Sequence, residues 1–543
     1  MIINFLIIIQ EGMKLTSYRK YWKVIVAFLF IGPLLLSIYF GVQKQGYFVD
    51  EVWSYGLANS KNYAHLFMQE GWDADWIEPS YFENYIEVQP GEEFSYGAVF
   101  RNQTEDNHPP LFYLVLHTVS SFFPNKFSKW FGIVPNLFYL LITNVFLYKI
   151  LKKLTDSREI AGAGMLFYAL SAGAISCAIY IRMYMMLTMW IMILLYLDIR
   201  IYESKELRSL DFVVCALVTF AGCMTQYFFY IAVFFGAGIF AFLLLICKKW
   251  KEMFGFITAN ISSLVLVKIV FPISFTKIFG NDNDRGAEAH RAFEAHHDIV
   301  EKFRSFYSII NQQLYNNLLT VIVLLIIIGI AVAGIYCVVK KKRPELGWQN
   351  TFMVVPTAVS LGYLTMMAFV APYQSDRYIF IIYPVTVICI VFAAVKIFHI
   401  THMSDKCVMI LLVVCAVFFS WSEIKNNQVQ YLYPEGLRNQ KLAEEYSEDD
   451  CIYISNQRYL ITADVPEVMK YRRVLKRNYE DLASVKDWLD PETKEVIVYF
   501  DWVLGVDIDN MEIRGNEIAG DLGMNHWEHL YSTDKCCVFR IYD

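Results

Sequence analysis

Residues 24–42 of the 543-residue chain have the sequence VIVAFLFIGPLLLSIYFGV, and this uncharged run decides the fold. A helix needs roughly 20 mostly apolar residues to cross about 30 Å of hydrocarbon, and this run has that length. Residues 47–54, with the sequence YFVDEVWS, follow it and carry the adjacent carboxylates Asp50 and Glu51. The sequence therefore predicts a membrane helix with an acidic pair just beyond its end.

The composition of the whole chain also indicates a membrane protein. Hydrophobic residues make up 56% of the chain and charged residues 18%, with a formal net charge of −6. Soluble domains average about 25% charged residues, so most of this chain is expected to lie in lipid. The small net charge gives no sign of a nucleic-acid partner. The 11 cysteines show no CxxC spacing and indicate neither a zinc site nor a disulfide framework.

Further apolar runs along the chain predict a polytopic α-helical membrane protein with about 11–13 transmembrane helices. A shorter apolar segment, 109–123, accompanies them. The predicted spans are 24–42, 131–151, 160–179, 184–199, 211–224, 227–247, 254–274, 316–339, 351–371, 378–397 and 407–421.

Lysine and arginine in the short loops predict the orientation, because such residues collect on the cytoplasmic side. A basic cluster precedes the first span. Further basic clusters, such as Lys340–Arg343, alternate along the chain with loops that have few basic residues. An odd number of crossings places the N-terminus inside and the C-terminal residues outside. The site of chemistry is accordingly expected on the outer face of the plasma membrane.

The same pattern predicts three parts of the chain. Residues 1–20 form a cytoplasmic segment, and residues 21–424 form a transmembrane domain that includes outer loops 43–107 and 275–315. Residues 425–543 are more polar and contain strand-like runs at Cys451–Ser455, Val496–Phe500 and Cys537–Tyr542. A small extracytoplasmic α/β domain is expected there.

Asp50 and Glu51 are the first candidates for chemistry. Tyr47, Phe48 and Trp53 suit the membrane interface and would hold the pair at headgroup depth. Partial desolvation there would raise the pKa of a carboxylate, as a general base requires. A solvated acidic pair that caps a short helix is the simpler interpretation of these two residues alone.

His108 begins the sequence His-Pro-Pro-Leu at the start of the short apolar segment. Prolines fit the first turn of a helix because their missing N–H groups would be unpaired there in any case. The histidine is then held at the boundary, where it can donate a hydrogen bond to an anion. An incidental polar cap of a helix explains it equally well.

Two arginines lie at predicted outer turns next to apolar runs. Arg182 is followed by Tyr184, and Arg377 is followed by Tyr378. Arginine near hydrocarbon is costly unless it is paired or bound to an anion, so the two could neutralise a lipid phosphate. The alternative for either arginine is a side chain that snorkels to the interface, or, for Arg377, a local ion pair with Asp376.

Two weaker motifs complete the candidates. Gln226 and Tyr227 end another span and offer hydrogen bonds to a headgroup or sugar, although interfacial packing explains them equally well. His290, His296 and His297 lie in the loop that also carries Gly280–Gly286. Their spacing fits no firm zinc pattern, and a substrate-responsive loop is the favoured interpretation. No metal site is assigned.

In their order along the chain, these motifs resemble the glycosyltransferase C superfamily. The similarity is greatest to bacterial relatives of protein O-mannosyltransferases and of lipid A aminoarabinose transferase. It covers roughly residues 20–400, and its most specific parts are Asp50-Glu51 and His108–Leu111. The resemblance implies an enzyme that transfers a sugar from a polyprenyl-phosphate donor to an extracytoplasmic acceptor, with inversion.

The resemblance also implies roles for individual residues. Asp50 would be the catalytic base or acceptor-binding carboxylate, with Glu51 supporting it. The donor phosphate would be bound by His108 and by the two arginines with their neighbouring tyrosines, namely Arg182, Tyr184, Arg377 and Tyr378. A second acidic motif near the third and fourth spans is missing, which leaves the sugar, the acceptor and any divalent metal open.

Two other classes of function fit parts of the pattern. A glycolipid transporter or flippase would show repeated halves and polar groups at the bilayer midplane, whereas the notable charges here gather at one interface. An inactive transferase-like scaffold would keep the C-terminal surface without the candidate site.

Overall fold

The fold is described from a computed structural model of the chain. It describes residues 15–68, 72, 75–204, 206, 208–279, 298–339, 347–400, 403–505 and 510–543. Gly280–Gly286 and the three loop histidines lie outside the described residues. The chain divides into a helical unit and a sheet-bearing unit. The helical unit comprises Met1–Phe40, Asn136–Ile179 and Met183–Gln430, and the sheet-bearing unit comprises Gly41–Pro135, Tyr180–Arg182 and Tyr431–Asp543.

The described residues contain helices at each predicted span. Their bounds are Leu15–Gln43, Trp130–Thr155, Arg158–Ala169, Ala172–Ile179, Tyr184–Glu203, Ser209–Cys223, Phe229–Ile246, Trp250–Val270, Ile273–Phe279, Ile299–Leu314, Leu319–Val339, Trp348–Phe352, Val354–Val370, Tyr383–Ile400 and Asp405–Lys425. The 3₁₀ turns Asp376–Tyr378 and Phe380–Ile382 precede Tyr383–Ile400.

Length and composition identify seven described helices that can cross a membrane, or up to nine if two bent helix pairs each count as one span. The pairs are Arg158–Ala169 with Ala172–Ile179, bent by 60°, and Ile299–Leu314 with Leu319–Val332, bent by 92°. Leu29–Gln43, Leu111–Ser121 and Ser209–Cys223 are shorter apolar helices. The predicted polytopic helical architecture is confirmed, and the protein is a multi-pass membrane protein.

Exposed apolar side chains on these helices explain why they need lipid. On Leu319–Val339, Leu325 is 61% exposed and Val339 is 71% exposed. Isolated exposed apolar residues are normal on soluble proteins, but a whole apolar helix surface requires a nonpolar solvent. By contrast, most side chains of Tyr184–Glu203 are buried among neighbouring helices.

The region expected as acidic outer loop 43–107 contains short helices of its own. They are Val49–Asn59, the 3₁₀ turn Leu66–Met68, Pro79–Ile86 and Tyr96–Glu105, followed by Leu111–Ser121. Proline at the first position of Pro79–Ile86 fits the helix start, where no N–H partner is available. The first of these helices carries Asp50 and Glu51.

The C-terminal part of the sheet-bearing unit holds a five-stranded sheet in the order β2-β1-β3-β5-β4. The first three strands in that order are parallel, and β5 and β4 are antiparallel to their neighbours. The predicted α/β fold is therefore confirmed. The strands are β1 (Asp450–Ile454), β2 (Arg473–Arg477), β3 (Glu495–Asp501), β4 (His526–Ser532) and β5 (Cys536–Tyr542). The accompanying helices and 3₁₀ turns are Gly436–Glu445, Leu460–Asp464, Val465–Val468, Tyr479–Trp488, Trp502–Leu504 and Met511–Leu522.

The β2 edge of the sheet is covered by a segment from the N-terminal half of the chain. Ile77 forms an antiparallel bridge with Val474, with backbone hydrogen bonds of 2.7 and 2.8 Å in the two directions. The guanidinium of Arg473 lies 4.1 Å from the ring centre of Trp76. An uncovered edge strand presents unpaired backbone groups, and this bridge satisfies some of them.

The Val49–Asn59 helix approaches Tyr85 closely at Gly56. A β-carbon at Gly56 would lie 1.9 Å from the Tyr85 ring, which is buried and donates a hydrogen bond to the Ala64 carbonyl. Glycine is therefore required by packing at this position. Gly97, also helical, has open space where its β-carbon would be.

Replacing Gly56 with alanine is expected to lower the free energy of unfolding by about 1–3 kcal/mol, because the added methyl must displace the Tyr85 ring. Gly97→Ala is the matched control and should be neutral or slightly stabilising, because alanine is the better helix former. Thermal unfolding of the detergent-solubilised proteins measures both. Equal midpoints for the two variants would contradict the packing requirement.

Candidate active site

Asp50 and Glu51 point in different directions because successive helical residues are about 100° apart. Glu51 is fully buried, whereas the Asp50 side chain is partly exposed. Both lie in the first turn of Val49–Asn59, where acidic groups stabilise the helix dipole. Only Asp50 of the two side chains is therefore accessible from outside the fold.

The carboxylate of Glu51 joins three segments of the sheet-bearing unit. One oxygen accepts a hydrogen bond from the Ile181 amide at 2.7 Å. The other accepts from the Phe48 amide at 2.7 Å and from Lys44 Nζ at 2.9 Å. Both of its oxygens are therefore held by these donors, and the supporting role of Glu51 stays a prediction.

Lys44 and Glu51 form a fully buried ion pair. Burial raises the pKa of Glu51 and lowers the pKa of Lys44, while the attraction between the two opposes both shifts. Lys44 also donates to the Tyr431 carbonyl at 2.6 Å. Each charge is consequently maintained by the other, and loss of either leaves its partner unpaired in the interior.

Arg182 follows Ile181 by one residue and binds the Asp50 helix. Its Nη1 donates to the Asp50 carbonyl at 3.2 Å, to Ser54 Oγ at 2.9 Å and to Tyr113 Oη at 3.2 Å. Its Nη2 lies 3.2 Å from His108 Nε2. The structure thus brings Asp50, His108 and Arg182 together, as the sequence analysis expected.

The tautomer of His108 follows from its two partners. Its Nδ1 lies 2.6 Å from the Asp106 carboxylate, and its Nε2 faces the Arg182 guanidinium. A guanidinium can only donate, and an ionised carboxylate can only accept. The imidazole is therefore neutral, with its proton on Nδ1. Although burial works against ionisation, the hydrogen bond from His108 Nδ1 and the positive charge of Arg182 help to hold the pKa of Asp106 well below its usual range.

These contacts give the His108 ring a different partner from the predicted anion. In this arrangement Nε2 accepts a hydrogen bond from Arg182 and has no proton to donate. The ring instead orients the arginine, which in turn binds the helix of Asp50. Direct phosphate binding by His108 stays a prediction.

Aromatic residues that sequence analysis did not single out surround Asp50. Tyr180 Oη lies 3.4 Å from Asp50 Oδ2. The Tyr180 ring stacks on Tyr431, with ring centres 3.9 Å apart and planes 11° apart, and Phe48 stacks on Tyr433. Tyr431 and Tyr433 lie far along the chain, so only the fold could reveal them.

The remaining predicted site residues belong to the helical unit. Arg377 is buried, and its guanidinium lies 5.1 Å and 5.2 Å from the ring centres of Tyr373 and Tyr378. The ring of Tyr184 is 6.4 Å from that of Phe380. Arg377 and its aromatic neighbours form a second candidate cluster, and its role in binding stays a prediction.

Gln226 and Tyr227, also in the helical unit, are buried. The amide of Tyr227 donates to Gln226 Oε1 at 2.6 Å, so the two residues form a local turn. Among the described residues, no group of three or more His, Cys, Asp or Glu is arranged to hold a metal ion.

Comparison by sequence finds no match: no protein-family model and no curated protein matches the chain. Among solved structures, the chain is similar to ArnT from Cupriavidus metallidurans bound to undecaprenyl phosphate, with a TM-score of 0.51 and 8% identity. That similarity covers 96% of this chain and 98% of ArnT. At this identity the similarity shows the fold alone, and the fold that the resemblance implied is confirmed as that of ArnT.

Two further solved structures are similar over most of the chain. The apo state of the same ArnT gives a TM-score of 0.49 at 8% identity, covering 96% of this chain and 98% of that one. The oligosaccharyltransferase of Archaeoglobus fulgidus, tethered to an acceptor peptide, gives 0.42 at 8% identity, covering 94% of this chain and 74% of that one.

A double-variant cycle tests the buried pair. Lys44→Met is expected to lower the free energy of unfolding by about 3–5 kcal/mol, because it leaves the Glu51 charge unpaired. Adding Glu51→Leu to Lys44→Met should cost less than the sum of the two single effects. Thermal unfolding in detergent measures all three variants, and additive effects would show that the two residues are not coupled.

Proposed function

We propose that the protein is an integral-membrane glycosyltransferase that moves a sugar from a polyprenyl-phosphate donor to an extracytoplasmic acceptor. The main support for this proposal is the placement of Asp50. Its carboxylate is partly exposed, and its helix is held by Arg182 and by the buried Glu51. The fold shared with ArnT, which was solved with undecaprenyl phosphate, supports this choice of donor.

In the proposed reaction, an acceptor hydroxyl attacks the anomeric carbon of the donor sugar. Asp50 takes the hydroxyl proton as the new glycosidic bond forms. The bond between the anomeric carbon and the phosphate oxygen breaks, and the polyprenyl phosphate leaves with the electron pair. A single displacement of this kind inverts the anomeric configuration. Because the leaving phosphate is already ionised, base catalysis and charge stabilisation contribute most of the rate.

The two arginines have different proposed roles. The contacts of Arg182 with Asp50, Ser54 and His108 suit a residue that positions the base and adds positive potential. Arg377, supported by Tyr378, is proposed as the principal ligand of the donor phosphate. Tyr184, Gln226 and Tyr227 are proposed to contact the donor headgroup or sugar.

The site is proposed to face away from the cytoplasm. The basic loop clusters, such as Lys340–Arg343, mark the opposite side of the membrane. Polyprenyl-linked sugars presented at the outer leaflet would then meet acceptors of the cell envelope directly. Residues 425–543 lie on that outer side in this arrangement.

Replacing Asp50 with asparagine is expected to lower kcat for transfer by about 10²–10⁴-fold, the usual contribution of a general base. Glu83→Gln, at an exposed position of Pro79–Ile86, is the control and should transfer normally. The measurement is release of polyprenyl phosphate by purified protein supplied with membrane-extracted lipid-linked sugars and envelope acceptors. Transfer by Asp50→Asn at the normal rate would exclude the base role.

Arg377→Gln is expected to raise the KM for the lipid-phosphate donor by about tenfold or more, because a charge-assisted contact contributes about 1.5–3 kcal/mol. Arg158→Gln removes an exposed arginine at a predicted cytoplasmic turn and should leave that KM unchanged. Donor titration at fixed acceptor concentration gives the comparison. An unchanged KM in Arg377→Gln would remove this residue from the donor site.

A further inference from the structure

A cavity of about 220 Å³ lies within the sheet-bearing unit, beside the segment that leads into the Asp50 helix. Gly46, Tyr47 and Val49 line it on one side, and Val49 immediately precedes Asp50. Its volume corresponds to about seven water molecules at liquid density, enough for a small organic group. The other lining residues are Tyr433, Pro434, Glu435, Gly436, Asn439, Ala463, Asp464, Pro466, Glu467, Ser532, Thr533, Asp534 and Lys535.

Four carboxyl groups line this cavity. Asp464 and Glu467 are buried, at 2% and 7% exposure, whereas Glu435 and Asp534 are exposed to solvent. Lys535 is the single basic residue in the described lining. The cavity therefore has an excess of negative charge when these groups are ionised.

The buried carboxyl groups differ in their partners. Asp464 accepts a hydrogen bond from Tyr453 Oη at 2.7 Å. Glu467 is more than nine-tenths buried and lines the cavity. Its own backbone amide donates to its carboxylate and the charge of Lys470 acts on it, but within the described part of the chain no other residue hydrogen-bonds to this side chain. A buried carboxyl group with so few protein partners has room for a further donor, such as a bound cation or water.

We propose that this cavity binds a positively charged group of the acceptor, an ammonium or guanidinium held by Glu467 and Asp464. The inference rests on the proposed function and specifies its acceptor class. A cation would add a charged donor to Glu467, beside its own backbone amide, and would neutralise the carboxyl groups. The rings of Tyr47 and Tyr433 in the same wall add favourable contacts for a cation.

The pKa shifts of Asp464 and Glu467 are consistent with a bound cation. Burial raises the pKa of Asp464 to about 6, and burial together with the charge of Asp464 raises the pKa of Glu467 well above its ordinary value. Carboxyl groups whose pKa values are raised on folding lower the stability of the fold once the pH exceeds their ordinary range. A bound cation would reverse that effect, whereas a neutral hydroxyl would supply a hydrogen bond without the charge.

The position of the cavity explains why the acceptor is assigned to it. Val49 and Tyr47 form part of its wall and lead directly into the helix whose second residue is Asp50. The opposite wall comes from Asp464–Glu467 and Ser532–Lys535 of the C-terminal residues. The C-terminal part of the chain would then select the acceptor that the proposed base activates.

Two matched probes test the cation directly on the full-length protein in detergent at pH 7, without donor lipid. Glucosamine carries an ammonium group where glucose carries a hydroxyl, so the two differ mainly in charge. Isothermal titration is expected to show glucosamine binding at least about tenfold more tightly than glucose, because hydrogen bonds to charged groups contribute about 1.5–3 kcal/mol. Equal affinities, or no binding of glucosamine, would overturn the proposal.

Glu467→Gln tests the residue. The variant keeps the shape of the side chain but can no longer ionise. It is expected to bind glucosamine about tenfold or more weakly. Glu492→Gln, at an exposed position of the same part of the chain, should bind normally. Thermal unfolding completes the test, because removal of a buried unpaired carboxyl should not lower the midpoint. Unchanged glucosamine affinity in Glu467→Gln would overturn the assignment.

The transfer assay separates this inference from the proposed function. In Glu467→Gln the KM for the acceptor should rise about tenfold or more while the KM for the donor stays constant. Normal acceptor KM in Glu467→Gln, with transfer still lost in Asp50→Asn, would reject the cation site and keep the transferase. A rise in the donor KM instead would reject the acceptor assignment.

Discussion

The arrangement of the candidate site depends on the buried carboxylate of Glu51. It binds Lys44 just after the first helix, the Phe48 amide at the start of the next helix, and the Ile181 amide. Asp50 precedes Glu51, and Arg182 follows Ile181. One fully desolvated ion pair with two backbone donors therefore fixes both the candidate base and the arginine beside it.

The residues next to this ion pair differ in exposure. Glu51 is buried and both of its carboxylate oxygens accept hydrogen bonds, whereas Asp50 is partly exposed. Asp106 fixes the tautomer of His108, and the imidazole then accepts from Arg182. Such a chain of charge-assisted contacts fixes the helix that carries the candidate base.

Sequence could predict the spans and the central strands, because apolar runs report burial. It missed β2 and β4, which are the two edges of the sheet and carry polar residues such as Arg473 and His526. In β2 the apolar residues are only Val474 and Leu475, which is too short a pattern to mark a strand. Asp50, His108 and Arg182 stood out at membrane boundaries. Tyr431 and the Glu467 cavity did not, because their partners are distant in sequence.

The bridge between Ile77 and Val474 makes the folding of the C-terminal residues dependent on the N-terminal half of the chain. A fragment that starts after the last membrane helix would leave the β2 margin without this cover and without Trp76 on Arg473. Bare margins of this kind promote association between copies. The sheet therefore belongs to the same structural unit as the N-terminal residues that cover its edge, and it is not an independent domain.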